Sequence, residues 1–162
     1  MEHIGRTAGL IYDILEMEKG MEKIKTILGI DHVGYAVKNL HSAKKYFGAL
    51  GFEFGIDIED VLRSVEVAVG QNCAGGGGRI ELIAPVGDRK SPIDGYLQKM
   101  GSTPYHLCYN VENMEKTVEE LLEMGFTMLE VPAPSVPLGG MVCFMYSCET
   151  GILELVDYGH GC

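Results

Sequence analysis

Two stretches of the chain, residues 32–52 and 106–126, repeat the same pattern of apolar and polar positions at an offset of 74 residues. In each stretch, alternating apolar positions are followed by apolar positions three and four residues apart and then by a glycine. Alternation predicts a strand, the wider spacing predicts an amphipathic helix, and the glycine predicts where that helix ends. The chain therefore contains two copies of one structural unit. The identical pairs are His32 and His106, Tyr35 and Tyr109, Val37 and Val111, Asn39 and Asn113, Gly51 and Gly125, and Phe52 and Phe126.

Beyond each helix, the pattern predicts three more strands, so that each copy reads βαβββ. The predicted elements are residues 30–37, 40–50 (helix), 52–58, 62–69 and 79–84, and then 105–111, 113–124 (helix), 126–131, 140–147 and 152–157. Apolar residues at helical spacing predict a short helix within residues 91–103. The proline-rich and glycine-rich residues 132–140 are predicted to form turns or a loop. We therefore expect an α+β fold with eight strands.

The domain organisation follows from these elements. We expect one domain over residues 28–162, made of modules at 30–85 and 104–158. The preceding segment, residues 1–27, lacks the uninterrupted apolar run of a secretory signal, whereas Leu10, Ile14 and Met17 recur at helical spacing. It is predicted to be an amino-terminal helical extension.

Composition and charge narrow the function classes. The 162 residues carry 23 acidic and 13 basic side chains, a formal charge of −10, which disfavours a surface that binds nucleic acid. No apolar run reaches the roughly 20 residues that a membrane-spanning helix needs. Five cysteines without a CxxC pair favour reduced thiols. We expect a cytoplasmic protein that binds neither nucleic acid nor membranes.

Strand alternation predicts which side chains share a concave surface. His32 and His106 oppose the apolar rows of their strands, and Glu81 and Glu154 interrupt apolar strands at equivalent places in the two copies. In the strand predicted at 62–69, Val65, Val67 and Val69 are expected beneath helices. Ser64, Glu66 and Ala68 are expected on the concave surface.

Two imidazoles and two carboxylates, one of each per copy, form a ligand set suited to a divalent ion such as Zn, Ni, Co, Mn or Fe. These residues are far apart in the sequence, and each of them alone is also typical of an ordinary strand residue. Their twofold repetition is what indicates a metal centre at His32, Glu81, His106 and Glu154.

Five segments resemble the vicinal oxygen chelate superfamily, and within it methylmalonyl-CoA epimerase and glyoxalase I: DHVGYAVKNLHSAKKYF, RIELIAP, SPIDGYLQKM, YHLCYNV and GILELVDY. The resemblance runs from about Ile30 to Tyr158. It implies a half-open eight-stranded mixed β-barrel around one divalent ion (Zn, Ni, Co or Mn), held by His32, Glu81 and the second copy's His106 and Glu154. It also implies a homodimer.

The same resemblance implies a metal-dependent isomerase that acts on a small carbonyl or thioester substrate through an enolate. The leading expectation is epimerisation of methylmalonyl-CoA or a similar acyl-CoA. The alternatives are a lactoylglutathione lyase and a non-catalytic protein that binds a small molecule.

Epimerisation needs a base on one face of a planar intermediate and an acid on the other. We expect Glu154 and Glu66 to fill these roles, because Glu154 is a ligand that can loosen and Glu66 is predicted to face the same concavity. Ser64 is the alternative position, and a solvent-facing charge is the other interpretation of Glu66. The chain also departs from the epimerases, which commonly carry His-His where it has Tyr105-His106.

Overall fold

Two strand-helix-strand units make up the part of the chain that the computed structural model describes, residues 22–73 and 77–159. The strands are β1 (Ile27–Ala36), β2 (Phe52–Phe54), β3 (Ile58–Asp60), β4 (Val65–Asn72), β5 (Arg79–Pro85), β6 (Thr103–Val111), β7 (Thr127–Ser135), β8 (Gly140–Ser147) and β9 (Gly151–Asp157). The helices are α1 (Leu40–Ala49), α2 (Asp94–Met100) and α3 (Met114–Glu123). The α+β class and the two predicted modules are confirmed.

The strands form one mixed sheet in the order β2-β4-β5-β1-β6-β9-β8-β7, with β3 also paired to β4. The two modules join where β1 and β6 pair antiparallel. On either side of this junction, β1 pairs parallel with β5 and β6 pairs parallel with β9. Because β2 and β7 end the path, the sheet is curved but not closed. The predicted count of eight strands is wrong by one, since the strand predicted at 52–58 is divided into β2 and β3.

Helices α1 and α3 begin at the repeated asparagines. Asn39 Oδ1 accepts a hydrogen bond from the backbone of Ser42 at 2.8 Å, and Asn113 Oδ1 accepts one from Lys116 at 2.9 Å. An asparagine at this position satisfies a backbone donor that the first turn leaves free. Both helices pack on the outer face of the sheet. The repeat therefore specifies the helix starts as well as the strands.

Strand β7 extends further than its prolines predict. Residues 132–140 were expected to form a loop, but β7 continues to Ser135 and pairs with β8 through Ala133, Pro134 and Ser135. Proline donates no backbone hydrogen bond, which an edge strand tolerates on its unpaired side. The loop prediction is therefore wrong for residues 132–135.

The segment before β1 packs on the second module. Residues 1–21 of the predicted amino-terminal helix lie outside the described residues, and residues 22–26 form no helix. Ile24 is buried among apolar residues of α3 and the sheet, and Thr26 Oγ1 lies 2.7 Å from Thr117 Oγ1. Ile27 already belongs to β1, so the predicted extension does not reach residue 27 as a helix. None of the described helices is long and apolar enough to cross a membrane.

Candidate metal centre

The concave face of the sheet is built from β1 and β6 as alternation predicts. His32, Gly34 and Ala36 are buried on this face of β1, and His106 and Cys108 are buried on the same face of β6. The opposite rows of the two strands face the helices, as shown by Tyr35 beside α1 and Val111 beside α3. The repeated histidines therefore meet at the junction of the two modules.

Four predicted ligands converge at this junction. The donor atoms of His32, Glu81, His106 and Glu154 all lie within 4.8 Å of one another, and the four residues are buried. The two histidine Nε2 atoms are 3.2 Å apart. Each Nε2 lies 3.2 Å from Glu154 Oε2 and 3.6 Å from Glu81 Oε2. The structure thus brings together the whole predicted ligand set.

A glycine makes room for one of these rings. Gly34 lies opposite His106 in the pairing of β1 with β6. A Cβ atom at Gly34 would lie 2.3 Å from Cε1 and Nε2 of His106 and 2.6 Å from Nδ1. Any side chain at Gly34 would therefore occupy the space of the imidazole. This close approach explains a small residue between two larger neighbours in β1.

An extra residue precedes each histidine. The pairing of β1 with β6 shifts by one position between Ile30 and His32, and again between Gly34 and Tyr35. The unmatched residues are Asp31 in β1 and Tyr105 in β6, which are equivalent positions of the repeat. Such bulges redirect side chains and are common beside functional sites. Adjacent residues of a regular strand point to opposite faces. The bulges therefore allow Asp31 and Tyr105 to lie at the centre even though each is next to a ligand in the sequence.

Asp31 orients the first imidazole. Its Oδ1 lies 2.7 Å from Nδ1 of His32, which leaves Nε2 directed toward the other ligands. Arg79 donates to Asp31 Oδ1 at 2.8 Å, and the Tyr158 hydroxyl donates to Oδ2 at 3.0 Å. Burial raises the pKa of Asp31, but these hydrogen bonds and the Arg79 charge lower it more, so the net pKa lies below its ordinary value. A carboxylate behind a histidine is the usual support for a metal ligand.

The electrostatics favour a positive charge between the ligands. Burial lowers the pKa of His32, but its hydrogen bonds, first with Asp31, raise it more, so the net pKa lies above its ordinary value. Burial raises the pKa of Glu154, but the imidazoles of His106 and His32 lower it more, and the net shift is downward. In each case the neighbours outweigh burial, chiefly Asp31 for His32 and the two imidazoles for Glu154.

The residues present fit a divalent ion. Among the described residues, Glu154 Oε2 is buried without a hydrogen-bond partner, although it faces both histidine Nε2 atoms. Ligand atoms about 2.1 Å from one ion lie roughly 3–3.5 Å from each other in tetrahedral geometry. The observed separations of 3.2 and 3.6 Å are close to this range. Two nitrogen and two oxygen donors suit Zn, Ni, Co or Mn.

A pocket of about 160 Å³ opens beside the centre. Apolar side chains from β4, from the two residues before α2 and from the second module form most of its wall. The lining residues are Asp60, Arg63, Val65, Val67, Glu81, Ile83, Pro92, Ile93, Tyr105, His106, Leu129, Glu130, Ser135, Pro137, Phe144 and Glu154. Three of the four candidate ligands therefore face a cavity that can admit a small molecule.

The face predicted for β4 is wrong. Val65 and Val67 line the pocket, whereas Ala68 packs beneath α1 with Ala84. Glu66 lies between the two valines and pairs with Ala84 in β5, so it belongs to the outer face. Ser64 precedes β4 and does not line the pocket either. The apolar row faces inward here because this end of the sheet encloses a largely apolar cavity.

Sequence reasoning missed five polar residues of the pocket. They are Asp60, Arg63, Tyr105, Glu130 and Ser135. The sequence gives a signal only for Tyr105, which occupies the position beside a ligand where the epimerases commonly carry histidine. The other four come from the end of β3, the β3–β4 turn and the edge strand β7, whose approach to one another depends on the curvature of the sheet.

This fold and ligand set define a class of protein. The chain belongs to the Glyoxalase/Bleomycin resistance protein/Dioxygenase superfamily, which matches residues 31–144.

Within this superfamily, the chain is similar to proteins named as epimerases. It is 30% identical over 126 residues to the mitochondrial methylmalonyl-CoA epimerase of Dictyostelium discoideum, and the match covers 73% of each chain. It is 31% identical over 113 residues to an ethylmalonyl-CoA/methylmalonyl-CoA epimerase of Cereibacter sphaeroides, with 68% of this chain and 81% of the relative covered.

Solved structures show the same fold. Methylmalonyl-CoA epimerase from Mycobacterium tuberculosis superposes with a TM-score of 0.73 at 23% identity, covering 86% of this chain and 94% of the other. A Streptomyces coelicolor methylmalonyl-CoA epimerase in complex with 2-nitronate-propionyl-CoA superposes with a TM-score of 0.70 at 21% identity, covering 81% and 97%.

Proposed function

We propose that the protein is a metal-dependent isomerase that epimerises methylmalonyl-CoA or a similar acyl-CoA thioester at the carbon next to its carbonyl group. The observation that carries the proposal is the buried convergence of His32, Glu81, His106 and Glu154 beside a pocket. The names of the relatives support the acyl-CoA substrate. No pocket contact in the described part of the chain favours a lactoylglutathione lyase or a binding protein over an epimerase.

We propose that His32, Glu81, His106 and Glu154 hold one divalent ion, which would supply positive charge to the thioester oxygen and so stabilise the negative charge left by the departing proton. All four residues are buried, so little of their surface is exposed to solvent. Asp31 holds His32 in one orientation through Nδ1. The chain thus fixes the ligands before a substrate binds.

Glu154 is proposed as one proton-transfer group, because its Oε2 is buried and accepts no hydrogen bond among the described residues. For the opposite face of the substrate, Glu66 is not favoured, since the outer face of β4 does not reach the pocket. We propose Tyr105 instead. Its ring packs beside His106 with centroids 5.4 Å apart, and Tyr105 lines the pocket. Burial, reinforced by the nearby charges of Tyr96 and Glu130, raises the pKa of Tyr105 to about 12, so its hydroxyl is protonated at neutral pH.

A direct test compares two substrates. The metal-loaded protein is incubated with one epimer of methylmalonyl-CoA and, separately, with the hemithioacetal of methylglyoxal and glutathione. We expect interconversion of the epimers and no turnover of the hemithioacetal. The reverse pattern would replace the epimerase with a glyoxalase, and turnover of neither would contradict the proposed reaction.

The ligand assignment has its own test. His106→Ala removes a buried donor, and we expect the variant to lose most of its bound metal in elemental analysis. His41→Ala is the matched control, because His41 is exposed on α1. Full metal occupancy in His106→Ala would contradict the assignment.

A homodimer and a cytoplasmic location stay predictions. Sedimentation of the purified protein tests the first, and fractionation of the source cells tests the second. The mitochondrial relative makes the second test informative.

A further inference from the structure

The two copies of the repeat differ at three positions near the candidate ligands. At each of them, one copy carries a polar side chain whose counterpart in the other copy differs in chemical character. Aligned on the strand glutamates and on the histidines, the corresponding pairs are Arg79 and Ile152, Tyr158 and Pro85, and Asp31 and Tyr105. The four candidate ligands obey the repeat, so the symmetry of the fold explains them but does not explain these three polar residues.

The three polar residues meet behind one ligand. Arg79 Nη1 donates to Asp31 Oδ1 at 2.8 Å and to the Tyr158 hydroxyl at 2.9 Å. The same hydroxyl donates to Asp31 Oδ2 at 3.0 Å, and Asp31 Oδ1 lies 2.7 Å from Nδ1 of His32. Arg79 begins β5, Asp31 belongs to β1, and Tyr158 follows β9. The network therefore joins both modules at His32.

The chemistry of these groups fixes the direction of each hydrogen bond. A guanidinium has no acceptor, so the Tyr158 hydroxyl accepts from Arg79 and directs its own hydrogen to Asp31. A carboxylate only accepts, so Nδ1 of His32 must carry the hydrogen and Nε2 must offer its lone pair. The Asp31 side chain is only 10% exposed, so water competes little for its oxygens. The network thus specifies one tautomer of His32, and it is the one that can bind an ion through Nε2.

The second histidine has no such support. Nδ1 of His106 is buried without a hydrogen-bond partner among the described residues, and its ring packs against Tyr105 and Phe144. The two histidines also differ in position, because the other three candidate ligands line the pocket and His32 does not. His32 therefore lies at the back of the centre, with the polar network on its far side.

We propose that Arg79 and Tyr158 are positioning residues that hold His32, through Asp31, in the tautomer and orientation that bind the ion. The inference rests on the metal centre of the proposed function and deepens it, since neither residue is itself a candidate ligand. Groups that support a metal ligand typically change metal affinity by about 10–100-fold. The competing explanation is that the network only fastens the segment after β9 to β1.

The first measurement needs no metal. In metal-free protein whose histidine nitrogens are isotopically labelled, nuclear magnetic resonance distinguishes the two tautomers of each imidazole, and the signals lost in His32→Gln identify His32. We expect the parent to hold His32 as the single tautomer with hydrogen on Nδ1. Tyr158→Phe and Arg79→Met should show a mixture of tautomers. Arg79→Lys should lie nearer the parent, because an ammonium group still donates to Asp31.

The second measurement is the affinity for Zn²⁺, determined by competition with a chelator. Tyr158→Phe and Arg79→Met should each lose about tenfold, and Arg79→Lys should lose less. The same Tyr158→Phe change is then made in Asp31→Asn. It should cost nothing further there, because the hydroxyl acts on the ion only through the Asp31 carboxylate.

Two exposed residues provide matched controls. Tyr46 is 75% exposed on α1, and Arg89 pairs with Glu59 while 45% exposed outside the pocket. Tyr46→Phe and Arg89→Met should match the parent in both the tautomer of His32 and the affinity for Zn²⁺. The melting temperature of every variant is recorded alongside.

A network that only fastens the chain predicts a different result. Tyr158→Phe and Arg79→Met would then melt earlier, keep the single tautomer of His32, and bind Zn²⁺ like the parent, and this outcome would overturn the proposal. A loss in Tyr158→Phe that is equally large in the Asp31→Asn background would overturn it too. If Arg79→Met does not fold, Tyr158→Phe, which removes one oxygen atom, decides alone.

The proposal and the function fail separately. A parent that holds the single tautomer of His32 and binds Zn²⁺ through the network, but does not epimerise methylmalonyl-CoA, would leave the positioning residues and remove the reaction. Epimerisation by a parent whose Zn²⁺ affinity is unchanged in Tyr158→Phe and Arg79→Met would leave the reaction and remove the positioning residues.

Discussion

Replacing Gly34 with alanine tests the metal centre without removing a ligand atom. The new Cβ would lie 2.3 Å from two ring atoms of His106, and ordinary contact begins at 3.4 Å, so the imidazole must retreat by about 1 Å. Ligand distances in metal sites vary by only about 0.2 Å. The displaced ring can therefore no longer share an ion with His32.

The expected loss is large. Disturbing a group behind a ligand already costs about 10–100-fold in metal affinity, and we expect Gly34→Ala, which moves the ligand, to cost about 100-fold or more. The crowded core should also lower the free energy of unfolding by about 1–3 kcal/mol. Affinity is measured by competition with a chelator of known strength, and the fold is checked by circular dichroism.

Gly48→Ala is the matched control. Gly48 lies in α1, and a Cβ atom there would meet nothing within 4 Å. This variant should bind metal like the parent and gain about 0.5–1 kcal/mol in stability, because alanine favours a helix more than glycine does. A folded Gly34→Ala with parental metal affinity would refute the claim that His106 is a ligand.

Three further predictions concern single carboxylates. Asp31→Asn should lower metal affinity by about 10–100-fold, because it weakens the hydrogen bond that supports His32 Nδ1. Chelator competition measures the affinity, and a parental value would contradict this prediction. Glu66→Gln should epimerise methylmalonyl-CoA within about twofold of the parental rate, because Glu66 lies outside the pocket; loss of turnover with metal retained would restore Glu66 as a proton-transfer residue. Asp94 accepts hydrogen bonds from the backbone and hydroxyl of Ser91, which lower its pKa below the ordinary 3.8. The ionised carboxylate therefore stabilises the fold above pH 3.8, and this stabilisation is lost as the pH falls through the lowered pKa. Urea unfolding should therefore show Asp94→Asn to be less stable than the parent at neutral pH and equal to it in strong acid. A stability difference that does not change with pH would contradict the lowered pKa of Asp94.

The sequence repeat predicts those parts of the site that depend on the local pattern of apolar and polar residues. Strand alternation brings His32 and His106 to one face, and the two interrupted apolar strands predict Glu81 and Glu154, because a carboxylate in a buried strand needs a partner. The matching strand order of the two modules then brings the four together, with Glu81 opposite Gly34 in β1 and Glu154 opposite Cys108 in β6. These parts of the site were predictable without coordinates.

The remaining parts of the site depend on bulges, on the curvature of the sheet and on the position of the cavity, none of which the alternation of apolar and polar residues predicts. A bulge at Tyr105 directs two consecutive residues of β6 toward the same site, which a period of two cannot predict. The curvature of the sheet brings Arg63 to Glu130 from opposite ends of the strand order. The inward row of β4 is apolar because it lines a cavity, so a rule that assigns apolar rows to helices fails there.

The central claim is that one ion, bound by the four converging side chains, allows the protein to move the proton next to a thioester carbonyl. The most direct measurement follows exchange of that proton of methylmalonyl-CoA with deuterated water by nuclear magnetic resonance, as metal is added to metal-free protein. The account predicts that the exchange rate rises with occupancy and stops rising at one ion per chain, and that His106→Ala stays inactive at the same metal concentration. Exchange that is independent of added metal, or a fully loaded protein that exchanges nothing, would contradict it.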